Sequence, residues 1–451
     1  MIENLEVINT IKNENWNKLR TLLSNMLEAE IVDIINYVED DEYTNTRYII
    51  FSLIDDIDIK AYVFSELTLP IKEYLINYMS DDELKILIHN MHPDDKTSLF
   101  ENIDTDLADR IFSLLYKSDL KEINQLLSYP EDSIGRIMTT EYLYIKVHFT
   151  VEDTINQIRQ YGKDSEAFEV IYVINDDNVL VGYVLLKDLL VAKLESSIDE
   201  IMYTDIIYLS VYSDKEEAVL VGKKYDLLYI PVVDSNNVLI GIVTIDDIFD
   251  IAEEEDTEDF HKLGGVSVSD EFYSSIKTAS VFNLYNRRIT WLCILIFINI
   301  ISGYFIGIFE GVIAKYISLI LFLPLLIDSA GNAGAQSSTL IIRSLSVGDV
   351  KKSDWFFMFF KEILISLLLG GTMSIAVSLI AIFRGGFIIA LVVSISMIVV
   401  VTIGSLIGLS LPFLFMKLKK DPTTSSVPLV TSICDICGTA IYLFIATIFL
   451  S

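Results

Sequence analysis

Residues 325–345 read LLIDSAGNAGAQSSTLIIRSL. They lie in an apolar run, 316–342, long enough to cross a bilayer, yet they carry Asp328, Asn332 and Gln336 with Gly331 and Gly334 between them. A carboxylate at membrane depth is costly unless it faces protein or water, so it marks a functional position by default. The glycines admit two readings. Small residues let helices pack closely; alternatively, unwound backbone at this depth is tolerated beside a water-filled cavity or inside protein. The carboxylate and two amides favour a polar, water-lined path.

Charge is distributed unevenly around this segment. The chain has 451 residues, with 33 Lys+Arg and 64 Asp+Glu. That length has room for about three domains of ordinary size. Residues 281–451 hold 11 Lys+Arg and 7 Asp+Glu, a net of +4; subtraction leaves 22 and 57 for residues 1–280, a net of −35. An acidic, soluble half is therefore expected ahead of a hydrophobic one. Such an excess repels phosphates, which argues against nucleic acid as a partner, and it attracts cations; the plainer alternative is a solvated acidic surface. The opening MIENLEVINTIKNENW lacks the basic start and apolar core of a signal peptide. Three cysteines, all in the hydrophobic half, offer no disulfide framework. None of His89, His92, His148 and His261 has a plausible nucleophile beside it, so no enzyme is expected.

A span needs about 20 apolar residues. Uncharged runs at 289–309, 363–383 and 387–416 qualify, as do 316–342 and 427–451, each with one aspartate, Asp328 and Asp435. Five spans are thus predicted. Arg287, Arg288, Arg343, Lys351, Lys352, Lys417, Lys419 and Lys420 fall on one side and only Lys315 and Arg384 on the other. Positive residues collect in cytoplasmic loops, which places the N-terminal half in the cytoplasm of a cell-membrane protein and the C-terminus outside.

The GNAGAQSSTLIIRSL stretch, followed by a last span with the single Asp435, resembles the pore domain of the MgtE family of magnesium channels. The resemblance implies a homodimer in the lipid bilayer with five spans per subunit, a pore lined by spans 2 and 5, and the span-5 aspartate as ion site. It makes Asp435, Gly331, Asn332, Gly334, Gln336 and Asp328 candidate pore residues. Physical chemistry is compatible with that implication: Mg²⁺ dehydrates reluctantly and is held through one or two carboxylates around its water shell. An inside-negative potential gives a divalent ion roughly 4.6 kcal/mol per 100 mV, about three decades of accumulation. Two other motifs compete. Asp95-Lys96-Thr97-Ser98 approaches the phosphorylated motif of P-type pumps, but its fourth residue is wrong. Cys434 and Cys437 flank Asp435 as a CxxC; two copies could form a thiolate Zn²⁺ site, or the cysteines could be packing residues.

Residues 131–252 contain a repeat. NVLVGYVLLKDLL (178–190) is echoed by NVLIGIVTIDDIF (237–249), and GRIMTTEY (135–142) by DEIMYTDI (199–206). Short β runs alternate with helical stretches. The pattern resembles a tandem pair of cystathionine-β-synthase-type (CBS) modules, α/β units that often bind adenine nucleotides such as ATP. Of the usual ribose contact, the second copy keeps Gly241, Thr244 and Asp247, whereas the first has Leu185 in place of the hydroxyl residue.

Residues 1–130 show apolar stripes at i, i+3 and i+4 in segments such as DDELKILIHNM and DTDLADRIFSLL. Recurrence at about 12 residues predicts a small helical solenoid, similar to the family's N-terminal domain. A dense carboxylate run, DDIFDIAEEEDTEDF (246–260), then precedes Gly264-Gly265 and a second helical stretch up to the first span. The expected organisation is a multidomain chain: an α-helical solenoid (1–130), an α/β CBS pair (131–252), an acidic linker and connecting helix (253–288), and an all-α five-helix transmembrane domain (289–451). By itself the acidic run is a solvated charged helix. In the MgtE family, however, Mg²⁺ bridges such acids and shuts the pore. The resemblance carries that role onto Asp94, Asp95, Asp226, Asp247, Asp250, Glu255, Glu258 and Asp259, with His92 where the family commonly has an acid. The expectation is a Mg²⁺ channel closed by cytosolic Mg²⁺. A transporter of Mn²⁺, Co²⁺ or Zn²⁺, or a membrane-tethered CBS sensor that does not conduct, are the alternatives.

Overall fold

The computed structural model describes residues 5–38, 45–267 and 280–450. Residues 268–279, which include most of the expected second helical stretch of the linker, lie outside the described residues. The chain divides into two compact units, one up to Glu254 and one from Glu255 onward.

The first unit begins with short helices. Their ends follow from local chemistry: Ser80 and Glu83 form a capping box at the start of Asp81–His89, Pro93 opens Pro93–Asn102, and the Asp104 side chain caps Thr105–Leu114. None exceeds 11 residues between Leu5 and Leu127, so each relies on its neighbours to cover its apolar stripe. One continuous core runs from Val7 through Phe51, Phe64, Leu75 and Leu84 to Ile123.

The repeat forms two three-stranded sheets: β1 (Tyr142–Lys146), β2 (Ala167–Ile174) and β3 (Leu180–Leu185), then β4 (Leu209–Ser210), β5 (Tyr229–Val233) and β6 (Leu239–Thr244). In each the first pair is parallel and the second antiparallel. The duplication extends to single atoms. Asn175 Oδ1 accepts the N–H groups of Asp177 and Val179, and Asp234 Oδ1 those of Asn236 and Val238. These side-chain turns hold Asn178 and Asn237 at φ 63° and 59°, a conformation that asparagine tolerates. The two turns then pair with each other through Val179 and Val238. The bridges Thr139–Ile242 and Tyr203–Tyr183 are a second symmetric pair. The copies are thus related by a pseudo-two-fold axis.

The second unit holds five apolar segments. Span 1 lies in Val281–Ile308, span 2 in Ser318–Ser346 and span 5 in Val427–Leu450. The helix Trp355–Lys417 is too long for one span: at 1.5 Å per residue its 63 residues would measure about 95 Å against a hydrocarbon core of about 30 Å. Gly386, at φ 77° and ψ 179°, breaks it into span 3 (355–385) and span 4 (387–417), and Gly370 then lies against Ile398.

Spans 2 and 4 meet backbone to backbone. A Cβ on Gly408 would fall 2.0 Å from the Gly334 carbonyl oxygen, and one on Gly404 2.5 Å from that of Ala330. Neither partner is a side chain that can yield. Gly408→Ala should therefore cost on the order of 1–3 kcal/mol and lower the melting temperature of the detergent-purified protein. Gly303→Ala, with nothing within 4 Å, should leave it unchanged.

Candidate ion pathway and regulatory carboxylates

Span 2 is helical through both Gly331 and Gly334. Of the two readings open to the glycines, the regular helix here matches the packing one. Gly334 is buried against Gly404 and Cys434, and Gly331 against Thr431 and Asp435, whose Oδ1 would lie 3.5 Å from a Cβ at Gly331. Span 2 thus runs beside the Asp435 carboxylate at Gly331, at a spacing that is ordinary contact.

The polar side chains point elsewhere. Asp328, Asn332 and Gln336 stand at i, i+4 and i+8 and are all exposed, so they form one stripe on one face of the helix. Asp435 is half-buried on span 5, near enough for the Asp328 charge to act on it. Cys434 is turned away from this stripe; its thiol is buried and donates to the Gly404 carbonyl at 3.7 Å. It is engaged within its own chain. Cys437 is half-buried.

In the first unit, carboxylates crowd around the start of Ile245–Leu263. Asp94 is buried, with Oδ1 making no hydrogen bond. Burial and the charges of Asp247, Asp95 and Glu166 raise its pKa well above the usual carboxylate range. Asp247 is pushed up to about 7 by burial and by Asp246, Glu166 and Asp95, although the Thr244 hydroxyl donates to it at 2.6 Å. Asp250 and Glu66 are raised by burial and by their acidic neighbours. Two cations sit inside this group. Lys72 and His92 both favour the charged form of Asp95, though burial raises its pKa on balance. The His92 ring meets Glu141 at 2.9 Å and Glu166 at 3.9 Å, and the Glu141 bond holds its pKa up at about 9. Asp226, the exposed left-handed C-cap of Lys215–Tyr225, is not among the principal influences on these acids.

An orphaned buried carboxylate oxygen and mutually raised acids fit a cation. Among the described residues, no three acids, histidines or cysteines are closed into a ligand cage. A cation that keeps its waters does not need one.

The far half of the acidic helix belongs to the second unit, where it is paired. Ser346 donates to Asp259 at 3.2 Å, Arg343 lies 3.5 Å from Asp256, and Lys262 bridges Glu258 and, at 2.6 Å, Asp421 ahead of span 5. These bonds hold Lys262 well above its ordinary pKa and Asp421 below. Glu255 lies on the same stretch. Gly265 ends this region at φ 69°, where a Cβ would strike the Trp291 ring. Sequence reasoning missed Glu66, Glu166, Asp256 and Asp421, whose roles come from partners remote in the chain.

Comparison with known proteins agrees with this architecture. Residues 323–445 match the family model described as MgtE, divalent cation transporter; 26–132 match the MgtE intracellular N domain; 134–195 and 198–254 match CBS domains. Over 447 residues, 99% of this chain and 97% of the relative, it is 31% identical to the magnesium transporter MgtE of Bacillus subtilis. The chain belongs to the MgtE family. It is also 37% identical to the Thermus thermophilus magnesium transporter MgtE over 76% of this chain and 75% of that one. Among solved structures, the cytosolic domain of the Mg²⁺ channel MgtE in complex with ATP matches with TM-score 0.51 at 26% identity, over 54% of this chain and 98% of the other. As an MgtE-family member with five apolar spans, the chain is a multi-pass membrane protein.

The raised pKa of Asp247 has a stability consequence. Its folded value lies above the ordinary one near 3.9, so the protonated form favours the fold, and that stability is lost as pH rises from about 4 through 7. In metal-free buffer the wild type should therefore fall in melting temperature relative to Asp247→Asn across this window, with no further divergence above it. Parallel melting profiles would show that Asp247 is not strained.

Proposed function

We propose that this chain is a Mg²⁺-selective channel that takes up Mg²⁺ down its electrochemical gradient and is gated shut by cytosolic Mg²⁺. The observation that carries the reading is the exposed stripe Asp328, Asn332 and Gln336 beside half-buried Asp435. Lipid cannot solvate such a face. A second copy related by two-fold symmetry covers it, the stripes enclose water, and the homodimer brings two Asp435 carboxylates to one hydrated ion. The cytoplasmic unit then lies inside and the C-terminus outside, in the cell membrane.

Gating follows from the crowded acids. Each added Mg²⁺ relieves repulsion among Asp94, Asp95, Asp247 and Asp250 in the first unit and neutralises Glu255, Glu258 and Asp259 on the same helix. Binding that prefers the compact state by a few kcal/mol in total suffices to shift the population. Adenine nucleotide such as ATP, held at Gly241 and Thr244, would contact Asp247 as well and so tune the same acids. The exposed Asp226 has the weakest support as a regulatory ligand.

Flux into proteoliposomes with an imposed inside-negative potential and an internal Mg²⁺ reporter tests both parts. Asp435→Ala should abolish uptake at least tenfold; undiminished uptake would rule out the pore and favour a non-conducting sensor. Replacing Asp247, Asp250, Glu255 and Asp259 together by their amides should leave uptake running at millimolar internal Mg²⁺. If that variant still shuts off like the wild type, the acids are not the sensor.

A further inference from the structure

A second carboxylate lies within the membrane helices, away from the Asp435 stripe. Glu362 is half-buried in span 3, two turns past Trp355. It faces the hydroxyls of Ser337 on span 2 and Ser405 on span 4, which are 5% and 1% exposed. Neither hydroxyl has a hydrogen-bond partner other than this carboxylate. Three helices thus turn a carboxylate and two otherwise unpartnered hydroxyls toward one another. Toward the start of span 3, Trp355, Met358 and Phe359 join Ile341, Leu409 and Phe413 in an apolar cluster. Burial and the two hydroxyls are the influences on Glu362; no Asp, Glu, Lys, Arg or His on the packed spans is among them.

Groups left like this carry a desolvation cost, and here no basic side chain offsets it. A single positive charge would. A bare divalent ion would leave one net charge uncompensated in a low-dielectric setting, whereas a monovalent ion leaves none. We infer that Glu362, Ser337 and Ser405 form a binding site for one monovalent cation, a proton or Na⁺, distinct from the Mg²⁺ pathway. The site ties together spans 2, 3 and 4. Ser337 follows Gln336 directly, so occupancy also fixes the orientation of the polar stripe.

Thermal melting of the purified full-length chain in Mg²⁺-free detergent tests this independently of transport. Na⁺ is varied against choline at constant ionic strength and pH, and pH is varied in choline alone. A ligand at ten times its dissociation constant should raise the melting temperature of the wild type by about 3 °C. Glu362→Gln, which keeps the shape, should abolish that increment, and Ser337→Ala with Ser405→Ala should weaken it. Asp435→Asn should retain it, which separates this site from the pore. A response to Na⁺ identifies sodium; a response to pH alone, absent from Glu362→Gln, identifies the proton. If wild type and Glu362→Gln respond in parallel in both series, the site does not exist.

Discussion

Hydrocarbon cannot solvate a carboxylate, and the second unit is organised around that fact. Asp328 and Asp435 sit in helices that are otherwise apolar, and every close approach among spans 2, 4 and 5 helps to place them. Gly404 and Gly408 bring span 4 onto the span-2 backbone, and Gly438 admits Val400. The glycines are therefore the reason that a polar stripe can exist at a fixed position. Close backbone approaches and packed apolar side chains both hold this unit, as expected where helices associate by van der Waals packing.

The cytoplasmic unit applies the opposite strategy. Its acids are kept close together at a cost that appears as raised pKa values, most clearly at Asp94 and Asp247. Lys72 and the protonated His92 compensate only part of the charge. Along the acidic helix the strategy changes: beyond Glu254 the carboxylates have Lys262, Arg343 and Ser346 as partners.

Much of this was legible in the sequence, because the signals were periodic or cumulative. Five apolar runs gave the spans, and the echo of 178–190 in 237–249 announced two sheets that prove alike down to their Asx turns. The role of the glycines was not legible, since small residues in a membrane helix serve packing and unwinding equally well. Glu362 was missed for a definite reason. Searching for uncharged runs starts the third span at residue 363, whereas the helix begins at Trp355 and buries the charge inside it. Pairings such as Lys262 with Asp421, 159 residues apart, leave no local trace. The identity of the acids was readable; which of them crowd together was a property of the fold.

The central claim is that the face of span 2 bearing Asn332 and Gln336 is wet in the assembled membrane protein. Cysteine accessibility measures this directly. With Cys293, Cys434 and Cys437 replaced by serine or alanine, Asn332→Cys and Gln336→Cys in bilayers should react with a membrane-impermeant cationic thiosulfonate, and added Mg²⁺ should slow the reaction. Leu368→Cys, exposed on span 3, should stay unmodified. Unreactive cysteines at 332 and 336, with labelling no faster than at 368, would mean that the stripe lies in a dry seam and that no ion passes along it.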